Sequence, residues 1–270
     1  MNVVFLGGGR ITAAMLAGLR LTKTKHDLIV HDRHPGKLRE LKRRYAAVVE
    51  HDLSRAVAQA DMLVIAVRPD SVEEALRALA PAGRPLIAVS LAAGVPLRVL
   101  DQALGAPVRW ARAMPSPVCR SGRGLTALTF PRSLPARERN LVRDFFASFG
   151  QVVQIPERKF DAFTVTYSCS HGYHALATLA DAAQKAGLDR KTALLASSHA
   201  LADGIVAWRE GNESLEALLH EAATPGGIAA TTSAAMDAAG FQGAVRKGVS
   251  AGLQRARTNA KGASRQTRRK

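Results

Sequence analysis

Three stretches of the chain combine residue types and spacings that can do chemistry. The first is "VVFLGGGRITAAM", which places Gly7 and Gly9 in G-x-G spacing between an apolar strand and a helix. The first glycine permits a tight turn. The second lets the backbone approach a pyrophosphate seated on the helix N-terminus, where Arg10 and Ile11 open the helix. Thr12 stands at the third small position of that fingerprint, where Gly or Ala is usual. The second stretch is "VHDRHPGK". Asp32 there can accept from a ribose 2′-hydroxyl, which favours NAD, whereas Arg33, with His34 and Lys37 nearby, can bind a 2′-phosphate, which favours NADP. Either cofactor is compatible, with the balance leaning slightly to NADP. The third is "HEAATPGGIAATTSAA", in which Pro225-Gly226-Gly227 separates two alanine-rich, helix-prone segments. A turn of this type serves as a plain connector or as a loop whose backbone N–H groups face a ligand.

These residues need a scaffold, and the first 155 residues supply one. "NVVFL" (2–6), "DLIVH" (27–31), "MLVIAV" (62–67) and "PLIAVS" (85–90) read as buried parallel strands. Amphipathic segments such as "RITAAMLAGLR", "PGKLRELKRRY" and "DSVEEALRALA" lie between them, and less pronounced strands follow at 108–112, 125–130 and 151–155. Strand–helix alternation at this spacing implies a doubly wound α/β sheet of Rossmann type. After Pro156 the pattern turns helical, with Leu176, Leu179, Ala180 and Ala183 recurring at helical spacing. The expected organisation is a dinucleotide-binding domain over 1–156 and an all-α domain over 157–256. Residues 257–270 would form a basic, disordered tail. The helices are rich in Ala and poor in large core residues, which favours pairing with a second subunit.

Composition narrows the function classes. The chain is 47% hydrophobic and 22% charged, ordinary for a soluble globular protein. No stretch approaches the roughly 18–20 uncharged apolar residues that span a bilayer, and the N-terminus enters a strand without a basic leader. Two cysteines, Cys119 and Cys169, are too few for a disulfide framework, and a reducing cytoplasm is the natural location. The net charge of +16 is concentrated in part at the C-terminus, where residues 254–270 carry seven Lys/Arg and no acid. A solubilising tail is the simpler reading, and weak polyanion contact the other.

Several segments together resemble the pyrroline-5-carboxylate reductases. These are "FLGGGRITAAMLAGL", "VIAVRPDSVEEAL", "IAVSLAAGVPLRVL", "RAMPSPVCRSGRGLTAL", "EAATPGG" and "AGFQGAV", in an order that covers roughly residues 3–253. The resemblance implies a dinucleotide-binding domain followed by a helical domain that forms an intertwined homodimer, sometimes ringed into a decamer. It implies hydride transfer from NADPH or NADH to the C=N carbon of a cyclic imino acid, by default 1-pyrroline-5-carboxylate, to give proline.

The resemblance also carries residue roles. The family's cofactor loop stands here as Ala66-Val67-Arg68-Pro69, with Arg where the family has Lys. Its small-residue turn is intact as Ser90-Leu91-Ala92-Ala93-Gly94, which makes Ala92 a cofactor contact. Its cofactor-holding Asn is replaced by Ser116. The small core beside the substrate becomes Tyr167-Ser168-Cys169-Ser170-His171-Gly172, bulkier and more polar. Tyr167 and His171 are then candidate proton donors, whereas His171 and His174 with Cys169 nearby lack the further ligands of a metal site. In the family the Pro-Gly-Gly loop gives backbone N–H groups to the substrate carboxylate, which assigns Thr224, Gly226, Gly227, Ile228 and Ala229 to substrate binding. The family's threonine at the imine nitrogen is Ala229 here, and Thr231, with Thr232 next to it, is the candidate catalytic hydroxyl in its place. Two further readings stay open: a paralogue reducing another small imino or oxo acid, and a non-catalytic nucleotide-binding protein.

Overall fold

The computed structural model describes residues 1–79 and 83–267, with the side chains of 263–267 excepted. The first compact unit runs from Met1 to Tyr167 and includes the residues from Ala251 onward. In chain order its elements are β1 (Asn2–Leu6), α1 (Arg10–Leu21), β2 (Asp27–His31), α2 (Pro35–Tyr45), β3 (Val48–Val49), α3 (Leu53–Ala58), β4 (Met62–Ile65) and α4 (Val72–Leu79). They continue with β5 (Leu86–Ser90), α5 (Leu97–Ala103), β6 (Val108–Met114), β7 (Gly124–Thr129), α6 (Ala136–Ala147), β8 (Gly150–Gln154) and α7 (Glu157–Thr166). The strands form one sheet in the order β3-β2-β1-β4-β5-β6-β7-β8.

Alternate residues of β1 build two cores. Val3 and Phe5 pack with Met15 and Leu16 of α1, Leu38 of α2 and Phe145 of α6 on one face. Val4 and Leu6 pack with Ala56 of α3, Leu76 of α4 and Leu100 of α5 on the other. Burial on both faces explains why the strands read as unbroken apolar runs. All pairings are parallel except β6–β7. Residues 115–123 between those two strands are too few for a parallel crossover, which needs about a dozen, so the chain folds back. β3 was not expected, because two residues carry no periodicity.

The side chain of Arg112 on β6 is only 2% exposed. Its guanidinium reaches Glu157 at 3.2 Å and Asp161 at 3.3 Å and lies 4.4 Å from the Phe160 ring centroid. This joint ties α7 to the sheet, so the first compact unit extends past residue 156. Helical composition begins at α7, but compact packing with the sheet continues through Tyr167.

The second unit, Ser168–Ser250, holds α8 (Cys169–Lys185), α9 (Arg190–Glu210), α10 (Leu215–Ala222), α11 (Ile228–Ala238) and the start of α12 (Phe241–Thr267). Asp189 caps α9 through the Lys191 and Thr192 amides, and Ser214 caps α10 through the Ala217 amide. Ala180, Ala193 and Ser197 are buried, whereas Leu195, Ile205, Val206, Trp208, Leu219 and Phe241 are exposed. So much uncovered apolar surface is the signature of an assembly face.

The basic tail expected to be disordered from 257 is instead helical through Thr267; Arg268, Arg269 and Lys270 lie outside the described residues. Ala256 is 5% exposed, and the Asn259 amide donates to the Ala93 carbonyl at 3.2 Å. These contacts hold a segment whose charge alone suggested a solvated coil.

Candidate dinucleotide site and substrate turn

The Gly7–Gly9 turn joins β1 to α1. Gly7 has φ +112°, and a Cβ there would lie 2.7 Å from the Ala66 carbonyl oxygen. Only glycine lets the chain turn so close to the loop after β4. The Gly7 amide donates to His31 O at 2.8 Å, and the Thr12 hydroxyl donates to Gly7 O at 2.5 Å. Fully buried Thr12 therefore braces the turn, which accounts for the departure from Gly or Ala. Gly9 is the N-cap of α1, with no side-chain cap and no acid in the first turn. A Cβ at Gly9 would meet nothing within 4 Å. The helix N-terminus is thus open to an anion, and a pyrophosphate fits it.

Asp32 gathers hydrogen bonds that its position in the sequence does not show. One carboxylate oxygen accepts from the Gly8 amide at 2.8 Å and the Lys37 ammonium at 3.3 Å. The other lies 2.8 Å from the His34 amide and 2.9 Å from His34 Nδ1. Burial pushes the Asp32 carboxyl upward, but the hydrogen bonds from Gly8, His34 and Lys37 outweigh it and hold the group below its usual value. The carboxylate, one of the two alternatives for the ribose corner, pins the glycine turn to the exit of β2 and also lines the cavity described next. Arg33 reaches Glu74 of α4 at 3.1 Å, both side chains largely exposed.

A cavity of about 580 Å³ opens over these residues. Its lining includes Gly7, Gly9, Arg10, Asp32, Arg33, Ala66, Val67 and Arg68, all expected from sequence. His34 and Lys37 also line it, and Leu6, His31, Leu53, Ser71, Glu74, Ala75 and Ala78 complete it. The lining residues on α4 had no motif to announce them. Ile11, Pro69, Ala92 and Ser116 are not in the lining. Pro69 opens a short 3₁₀ turn, Pro69–Ser71. Ala92 is 2% exposed and Ser116 4% exposed; the Ser116 hydroxyl accepts from the Val118 amide at 3.4 Å and caps its own turn. Cys119 nearby is buried, which pushes its thiol up to about 12 and leaves it unreactive at neutral pH.

In the second unit, Thr224-Pro225-Gly226-Gly227 is a tight turn closed by the Gly227 amide on Thr224 O at 2.9 Å. Pro225 sits at its second position and Gly226, φ +77°, at its third, a type II pattern. A Cβ at Gly227 would lie 2.7 Å from the Thr224 hydroxyl oxygen, so both glycines are required. Gly227 then caps α11, which has no side-chain cap and no acid in its first turn. The amides of Ile228 and Ala229 lie in the first turn of that helix, which has no intrahelical acceptor for them. Ala229 offers only a methyl group. The Thr231 hydroxyl donates to Gly227 O at 3.1 Å and the Thr232 hydroxyl to Ile228 O at 2.9 Å.

The two candidate proton donors belong to different units. Tyr167 ends α7 in the first unit, where its hydroxyl oxygen accepts from the Leu125 amide at 2.6 Å and its ring packs 5.2 Å from Phe163. His171 lies exposed in the first turn of α8, whose N-cap is Ser168.

A doubly wound sheet with a glycine turn on an open helix N-terminus, followed by apolar-faced helices, defines a dinucleotide-dependent oxidoreductase with a separate helical unit. The family model "NADP oxidoreductase coenzyme F420-dependent" matches residues 2–94, and "Pyrroline-5-carboxylate reductase dimerisation" matches residues 157–259. The pyrroline-5-carboxylate reductase of Mycobacterium leprae is 32% identical over 71% of this chain and 68% of its own length. That of Synechocystis sp. is 29% identical over 93% of this chain and 95% of its own. The chain belongs to the pyrroline-5-carboxylate reductase family. The fold likewise matches the pyrroline carboxylate reductase of Plasmodium falciparum with NADP bound, at TM-score 0.86 and 21% identity, covering 96% of this chain and 98% of that one. No helix among the described residues is long and apolar enough to cross a membrane.

Proposed function

We propose that this protein reduces 1-pyrroline-5-carboxylate to proline with NAD(P)H. Family membership over nearly the whole chain supports the reaction. The observation that carries it to these residues is the uncapped N-terminus of α1 behind Gly7 and Gly9, with its cavity of about 580 Å³. When bound, the nicotinamide supplies a hydride to the imine carbon. Gly9, Arg10 and Ile11 present amides and a cation to the pyrophosphate. Arg33, His34 and Lys37 form the basic corner that suits a 2′-phosphate, and Asp32, spent internally, leaves the ribose without its carboxylate acceptor; this favours NADPH over NADH. Ala66, Val67, Arg68, Pro69, Ala92 and Ser116 belong to the nicotinamide side.

In the substrate, the amides at Gly227, Ile228 and Ala229 hold the carboxylate, with Thr224 and Gly226 shaping the turn. A cyclic imine is already substantially protonated near neutrality, so the C=N electron pair moves onto a nitrogen that carries its proton as the new C–H bond forms. The chain's task is orientation more than acid catalysis. Tyr167, held by the Leu125 amide, acts as a brace, and His171 is the candidate proton source only for imine that binds unprotonated.

We assign the protein to the cytoplasm and to a homodimer built on the second unit, with a ring of five dimers as the larger form. Phosphate-rich polyanions would meet the basic end of α12 weakly. Light scattering coupled to size exclusion distinguishes the two assemblies. A second reading, reduction of another small imino or oxo acid, is favoured by the bulky Tyr167–Gly172 segment and by Ala229. The deciding experiment follows NADPH and NADH oxidation with pyrroline-5-carboxylate beside a panel of cyclic imines and oxo acids. Turnover fastest with pyrroline-5-carboxylate is expected; cofactor binding without turnover of it rejects the assignment.

A further inference from the structure

The turn that leaves β5 is held by the C-terminal helix. The Val95 amide donates to Ala92 O at 3.4 Å, and Gly94, third in that turn, has φ +77°. Positive φ at this position marks the turn type in which the central peptide, Ala93–Gly94, is flipped relative to type I. Two contacts from α12 fix that peptide. Asn259 Nδ2 donates to Ala93 O at 3.2 Å. A Cβ at Gly94 would lie 2.4 Å from Ala256 O, so the α12 backbone rests directly on the turn. One turn of helix earlier, a Cβ at Gly252 would lie 2.7 Å from Val165 of α7, so glycine again allows the close approach. Carbonyl and N–H of one peptide point in opposite directions. Holding Ala93 O therefore aims the Gly94 amide away from α12.

This turn follows the carboxyl end of β5. Beside it, Leu91 N donates to Ile65 O at 3.0 Å, and Ala66 and Val67, just past Ile65, line the cofactor cavity. Ligands of such sheets sit outside the carboxyl ends of the strands. With Asp32, Arg33 and Lys37 at the adenosine side, the exit of β5 faces the nicotinamide side. We infer that Asn259 is a positioning residue for hydride transfer: by holding the Ala93–Gly94 peptide, it fixes the loop that orients the nicotinamide ring. The inference rests on the oxidoreductase reading, and it gives a function to a segment whose sequence suggested only a charged tail.

The test uses the full chain carrying Asn259→Ala or Asn259→Asp. Asp matches Asn in size but has no donor, so a packing role predicts that it behaves as wild type. Loss of the hydrogen bond predicts kcat lowered about 5- to 20-fold by Asn259→Asp and less by Asn259→Ala. The NADPH Kd should change less than about twofold, because the adenosine side is untouched. Hydrogen–deuterium exchange should accelerate in the peptide covering 91–95 and nowhere else in the first unit. Unchanged exchange there, acceleration spread across the unit, or wild-type kcat in Asn259→Asp overturns the inference. Failure of the unsubstituted chain to bind NADPH overturns the oxidoreductase reading instead, and the exchange measurement still decides whether Asn259 holds the turn.

Discussion

Replacing Arg33 by Ala should lower the preference for NADPH over NADH without harming the fold. Arg33 Nη1 lies 3.1 and 3.3 Å from the two Glu74 carboxylate oxygens, with side chains 64% and 72% exposed. An ion pair that open to water contributes less than about 1 kcal/mol. The guanidinium can therefore leave Glu74 for a 2′-phosphate, which offers more negative charge, at little cost. A hydrogen bond to a charged group contributes about 1.5–3 kcal/mol. Discounting by roughly half for solvent screening leaves about 0.8–1.5 kcal/mol, or about 4- to 12-fold in affinity. NADH carries no such phosphate, so its KM should stay within about twofold. Glu74→Gln removes the competing carboxylate and should tighten NADPH about 2- to 5-fold. The assay is KM and kcat with both cofactors at fixed imine concentration and two ionic strengths, since an exposed contact weakens with salt. If Arg33→Ala weakens NADPH and NADH equally, or Glu74→Gln leaves their ratio unchanged, the 2′-phosphate does not lie at this corner.

Gly7→Ala puts a methyl group 2.7 Å from the Ala66 carbonyl at φ +112°; clash and backbone strain together should cost about 3 kcal/mol or more. Thermal unfolding and NADPH fluorescence should show a large Tm drop and lost binding. Asp32→Asn should destabilise the fold by about 1–2 kcal/mol. Because the folded Asp32 carboxyl is held below its ordinary value, that stabilisation is present above the unfolded carboxyl pKa and is lost as pH falls through the lower folded one. Denaturant curves of wild type and Asp32→Asn should therefore differ at neutral pH and converge in acid. Ala229→Thr should raise kcat/KM for pyrroline-5-carboxylate about 5- to 10-fold, at a helix-propensity cost below about 1 kcal/mol; unchanged kinetics would show that another group already serves the imine nitrogen.

The strand–helix alternation was legible because strands buried on both faces cannot hide their apolar runs. The reversed strand β7 was not, since direction depends on the length of the 115–123 connection and not on residue pattern. Gly7 and Gly9 announced the nucleotide turn, whereas the hydrogen bonds that Asp32 makes did not show in its position. Its place at the end of β2 matches a ribose acceptor, but Gly8, His34 and Lys37 converge on it only in three dimensions. The helix α12 was misread for a related reason. Its last residues carry charge without acids, which resembles a solvated coil, yet Ala256 and Asn259 on one face make contacts with residues far earlier in the chain.

The Pro225-Gly226-Gly227 turn separates what sequence can transfer from what it cannot. The carboxylate binding proposed there would rest on backbone N–H groups, so it would survive any side chain that keeps the turn and leaves Gly227 as an open cap. The nitrogen recognition that the family resemblance implies would rest on one side chain, a threonine where this chain has Ala229. Thr231 was the expected substitute, but two residues along a helix rotate about 200° around its axis, which turns Thr231 from the face of Ala229. Thr232, three residues on, returns to that face, displaced by about 4.5 Å along the axis. Its hydroxyl proton is committed to Ile228 O at 2.9 Å, which leaves its lone pairs as acceptors. A protonated imine needs an acceptor at nitrogen and not a donor. Ser233, four residues on, returns to the same face, so we propose Thr232 and Ser233, in place of Thr231, as the α11 hydroxyls whose removal should weaken imine binding.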